Sequence, residues 1–109
     1  MERLFVYGTL APGRPNEHVL ADVPGRWEPA SVRGHLVEEG WGAALGFPAI
    51  RLDDAGPLVD GVLLSSEELA GHWRRLDEFE GEGYERREVE ATLRDGRQVP
   101  AQIYVHRDS

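Results

Sequence analysis

One strongly amphipathic helix stands among six strand-like segments, and no βαβ alternation runs through them. Segments 3–7, 30–37, 49–52, 60–64, 85–93 and 98–106 are short and rich in branched and aromatic residues. Most are bounded by Gly, Pro or Asp turns. The helix signal begins at Ser65, where Ser65 and Glu68 have the spacing of a capping box, and Leu69, Trp73 and Leu76 form its apolar stripe. Gly81 and Gly83 close it. A second, short helix is expected over 17–22, with Asn16 as its cap. Asp95-Gly96 marks a tight hairpin turn between the last two strands, and Pro100 gives its part of the final strand an edge or bulge character. Many strands with one main helix predict an α+β fold whose sheet curves into a compact mixed barrel.

The length of 109 residues fits one domain over 1–109 with a single core and a pocket at its edge. It leaves no room for separate substrate and cofactor domains. The formal net charge of −8 argues against binding nucleic acid or an anionic membrane surface, both of which call for a basic face. With no cysteine, disulfides, thiolate catalysis and thiolate metal sites are excluded. His18, His35, His72 and His106 have no metal-ligand spacing, so no metal is expected. The apolar run near the start, Leu4 to Tyr7, is too short for a signal-peptide core or a membrane span, and a cytoplasmic protein is the expectation.

Two places carry possible chemistry. Glu80 lies eleven residues after Leu69, and at about 100° per residue that is roughly 20° away around the helix axis. A carboxylate on the core-facing stripe, at the dipole-negative end of a helix, has its pKa pushed upward, as general acid/base work requires. The alternative is a frayed last turn, with Glu80 in solvent or paired with an arginine such as Arg86. By phase, Asp77 and Glu78 point elsewhere. The second place is Tyr7-Gly8-Thr9-Leu10, where a strand ends in a glycine turn whose backbone N–H groups can cradle a carboxylate or phosphate. The alternative there is an ordinary turn. Thr9 has no histidine or lysine placed to activate it and is not expected to act as a nucleophile.

Taken together, LFVYGTL at the start, Phe47-Pro48-Ala49 in the middle, LDEFEGEGYERREV and a closing AQIYV resemble the γ-glutamylcyclotransferase-like superfamily. The small bacterial members and the γ-glutamylamine cyclotransferases are the most similar. The resemblance runs in the same order along almost the whole chain. It implies a compact mixed barrel with a pocket at one end, no cofactor and no metal. It implies a small-molecule γ-glutamyl substrate, converted to 5-oxoproline with release of an amine or amino acid. By the same resemblance Glu80 is the acid/base, while Tyr7, Gly8, Thr9 and Leu10 hold the substrate's α-carboxylate. Tyr84, Arg86 and Tyr104 complete the binding residues. A binding module that holds a γ-glutamyl-like or other small acidic ligand without turnover is the alternative, and neither the leaving group nor the oligomeric state is legible.

Overall fold

A computed structural model describes residues 2–7, 20–37 and 49–106. Its strands are β1 (Glu2–Val6), β2 (Arg26–Val37), β3 (Ala49–Leu52), β4 (Leu58–Ser66), β5 (Tyr84–Leu93) and β6 (Gln98–His106). A 3-10 turn over Leu69–Gly71 leads into the helix α1 (Trp73–Glu80). The strands run in the order β3-β2-β4-β1-β6-β5, and β5 pairs back onto β2 at Ala30↔Leu93 and Ser31↔Thr92. Five strands therefore form a closed barrel. β3 extends β2 past the closure, pairing from Gly34↔Leu52 to Val37↔Ala49. β1 and β6 are parallel and all the other pairs are antiparallel, so the barrel is mixed.

The period-2 alternation of a strand sorts the side chains of β1 onto two faces. Phe5 and Tyr7 point into the barrel, where Phe5 joins Val32, Ile50, Leu63, Ile103 and Val105. Leu4 and Val6 point outward, into a second core under the helix with Leu20, Val23, Leu64, Leu69, Leu76 and Tyr104. The two cores share the barrel wall, so the described residues bury apolar surface on both of its faces.

At Gly61, β4 passes so close to β1 that a Cβ would stand 2.5 Å from the Val6 carbonyl oxygen and 2.6 Å from Phe5 Cζ. Backbone cannot yield as a side-chain tip can. Gly61→Ala is therefore expected to destabilise the fold by about 1–3 kcal/mol or more, read as a shifted urea midpoint. A midpoint equal to that of the parent protein would contradict this packing.

The helix departs from its sequence pattern at its start. Ser65 does not cap it, because β4 runs on through Ser66, with Ser65 paired to Arg3 on one side and Arg26 on the other. Ser66 Oγ instead accepts the Glu68 N–H at 3.1 Å and donates to the Pro24 carbonyl. This is the local side-chain turn that serine offers in competition with a helix cap. Leu69 falls in the 3-10 turn and α1 starts only after His72. Of the short helix expected over 17–22, residues 16–19 lie outside the described residues. The described end is a turn, with the Val23 N–H donating to the Leu20 carbonyl at 3.1 Å. Pro100 sits within β6 opposite Glu90, ahead of the point where β1 joins at Leu4↔Gln102.

Candidate active site

Because Leu69 is not on the helix proper, the phase of Glu80 has to be taken from its own turn. Leu76, four residues earlier, is fully buried, and residues four apart share a helix face. Glu80 thus faces the barrel at the last residue of α1. Gly81 ends the helix with φ +83°, a conformation that a residue with a Cβ rarely adopts, while its N–H still donates to the Asp77 carbonyl at 3.1 Å.

Burial raises the Glu80 carboxyl from its ordinary 4.5 to about 7. Three phenols sense its charge. Tyr7, from the end of β1, is held above the usual phenol range by burial first, then by Glu80 and Tyr84. Tyr84, at the start of β5, is raised by burial and by Glu80. Tyr104, on β6, is raised by burial, then by its hydrogen bond to Asp77 and the Asp77 charge, with Glu80 a lesser cause. All three phenols are therefore neutral donors at the pH where Glu80 titrates.

Tyr7 Oη donates to the Tyr104 carbonyl at 2.7 Å, and Tyr104 Oη donates to Asp77 Oδ1 at 2.6 Å. Arg86 does not pair with Glu80. Its Nε lies 3.2 Å from Asp77 Oδ1 and its Nη2 donates to Asp77 Oδ2 at 3.5 Å. Its guanidinium carbon sits 4.5 Å from the centroid of the Trp73 ring, in cation–π range. Asp77 leaves the apolar stripe, as its phase predicts, and there meets the side chains that β5 and β6 bring across. Tyr84 and Arg86 share a strand face, and Arg86 is the cross-strand partner of Tyr104. A cavity of about 350 Å³ beside the helix end is lined by Asp77, Gly81, Tyr84, Arg86, Gln102 and Tyr104, together with Glu85.

The structure thus brings Glu80, Tyr7, Tyr84 and Tyr104 into one electrostatic neighbourhood and sets Arg86 beside it through Asp77. Tyr7 and Glu80 do not line the 350 Å³ cavity. Gly8, Thr9, Leu10 and the segment with Phe47 and Pro48 lie outside the described residues. Among the described residues, no three His, Cys, Asp or Glu side chains gather as a metal site. None of their helices is long and apolar enough to cross a membrane.

A small mixed barrel, closed by five strands and carrying a helix that sets a carboxylate against the barrel, defines a γ-glutamylcyclotransferase-like protein. The family model described as gamma-glutamyl cyclotransferase, AIG2-like, matches residues 4–109, and the chain belongs to that family. Among solved structures it resembles YkqA of Bacillus subtilis, at 31% identity and a TM-score of 0.73 over 97% of this chain. The chain spans 36% of the length of that protein. It also resembles an AIG2-like protein of Mus musculus, GGACT, at 24% identity and a TM-score of 0.76, covering 100% of this chain and 79% of the mouse chain. A protein of Arabidopsis thaliana aligns at 26% identity and a TM-score of 0.73, covering 98% of this chain and 62% of the plant chain. No curated protein sequence matches the chain.

Proposed function

We propose that the protein is a γ-glutamyl cyclotransferase that works without metal or cofactor, with Glu80 as its acid/base. The observation that carries this reading is a partly buried carboxylate raised to about 7 at the end of α1, beside three neutral phenols. In the reaction, the α-amine of a γ-glutamyl substrate attacks its own γ-carbonyl. A new C–N bond closes the five-membered ring, and the bond to the departing amine breaks. Ionised Glu80 takes a proton from the attacking ammonium and passes one to the departing nitrogen, so the products are 5-oxoproline and a free amine or amino acid. Proton transfer in both directions suits a group whose pKa is close to the working pH. Ring closure within one molecule gains most from being held in attack geometry, and that is the task of a rigid barrel. Backbone N–H groups of Gly8, Thr9 and Leu10 would hold the substrate's α-carboxylate, the role that the resemblance gives them, with Tyr7, Tyr84, Arg86 and Tyr104 around the remainder. The same reading makes the protein cytoplasmic, with small γ-glutamyl compounds as its partners.

A panel of γ-glutamyl amines, amides and dipeptides, assayed for release of 5-oxoproline, tests this reading. Turnover of at least one class is expected, rising as the pH passes upward through about 7 while Glu80 loses its proton. Saturable binding across the panel without any 5-oxoproline would point to a ligand-holding module instead.

A further inference from the structure

Among the side chains of α1, only Leu76 is fully buried. Beyond it, Asp77 and Glu78 are exposed and Phe79 is 45% exposed. After Leu76 the one apolar side chain of the final turn is the half-exposed Phe79, and the helix then ends on a glycine joint. Yet that turn must keep Glu80 against the barrel.

We propose that Asp77 is the positioning residue that fixes the last turn of α1, and with it Glu80, against β5 and β6. Its carboxylate accepts the Tyr104 hydroxyl at 2.6 Å and faces Arg86 Nε at 3.2 Å, so one side chain ties the helix to both strands. Arg86 also stacks on Trp73 at the first turn of α1, which braces the helix at both ends. The tie continues inward, since the Tyr104 carbonyl accepts the Tyr7 hydroxyl. Asp77 lies three residues before Glu80, adjacent to it on the helix surface. Asp77 acts through where it holds Glu80.

Glu80 is faced by Tyr7 from β1, Tyr84 from β5 and Tyr104 from β6, with Asp77 on its own helix and Arg86 opposite Asp77. Removing the Asp77 charge would by itself ease ionisation of Glu80, so two variants are needed. Asp77→Ala removes the charge and the acceptor. Asp77→Asn removes the same charge but keeps an oxygen for Tyr104. The readout is the titration of the Glu80 side-chain carboxyl, followed by carbon NMR on the full chain, together with kcat and KM on a substrate from the panel.

In Asp77→Ala, the Glu80 midpoint is expected to fall by about one unit or more, as the carboxyl reaches solvent. Turnover should fall about 10- to 100-fold with little change in KM, the signature of a displaced catalytic group. Asp77→Asn should show only the smaller downward shift that loss of the charge brings, with turnover close to that of the parent protein. Equal midpoint shifts in the two variants would reduce the effect to charge and overturn the proposal. So would a lowered melting temperature with an unmoved midpoint. If Asp77→Ala fails to fold, Tyr104→Phe removes the same bond from the strand side, leaves the Tyr104 carbonyl in place, and must lower the midpoint likewise.

The kinetic arm rests on the function proposed above; the titration does not. Full activity in Glu80→Gln would remove the acid/base role of Glu80 while the titration still decides the role of Asp77. An inactive Glu80→Gln beside an unchanged Asp77→Ala would overturn only the positioning role.

Discussion

Glu80→Gln is expected to lower turnover of a γ-glutamyl substrate by about 10²–10⁴-fold, the usual contribution of a positioned general acid/base. The amide keeps the size and shape of the side chain and removes its capacity to take up a proton. Ligand affinity should stay close to that of the parent protein, because the residues proposed to bind the substrate's carboxylate, Gly8 to Leu10, are untouched by the substitution. Steady-state kinetics with a 5-oxoproline assay, alongside direct binding of the same compound, separates the two quantities. Unchanged turnover in this variant would end the assignment of Glu80.

The second large effect is on stability. A carboxyl at about 7 in the folded state and 4.5 unfolded binds its proton more tightly when folded. The folded state therefore holds more of this proton between those two values, and stability falls as the pH rises through the window. Below about 4.5 the group costs nothing extra. Above about 7 the full penalty is present, at most roughly 3 kcal/mol at about 1.36 kcal/mol per unit. Glu80→Gln removes the titration. The variant should match the parent protein near pH 4.5 and exceed it in stability at pH 8, as measured by urea unfolding at both pH values. A difference of the opposite sign at pH 8 would mean that the ionised carboxylate is stabilised in place, as in a structural ion pair.

Much of this architecture is legible in the chain because strands alternate. The segments around β1, β5 and β6 announce themselves by their branched and aromatic runs and by the turns that end them. The position of Glu80 is legible for a related reason: helical spacing from Leu76 puts it on the inner face whichever residue starts the helix. The helix start was not. Ser65 and Glu68 have capping-box spacing, but whether a serine caps a helix or ends a strand depends on what pairs with it. Ser65 is flanked by Arg3 and Arg26, residues far from it in sequence. The role of Asp77 was hidden for the same reason. Its partners Arg86 and Tyr104 reach it through the β5–β6 hairpin and barrel closure, and no local pattern encodes them. Periodicity records which way a side chain leaves its own element and says nothing of what arrives from another.

The parallel pairing of β1 with β6 bears on when the site can exist during synthesis. Tyr7 and the Tyr104 carbonyl that it bonds are 97 residues apart in sequence. β1 leaves the ribosome with both of its neighbours, β4 and β6, still unmade. Until β6 follows, Phe5 and Tyr7 have no closed interior, and Asp77 lacks the Tyr104 hydroxyl. Barrel closure therefore waits until β6 has been made. Pairings of such long range place this chain among the slower folders of its size, on the scale of milliseconds to seconds. A nascent chain stalled before Tyr104 would carry the helix and Glu80 but not the assembled site.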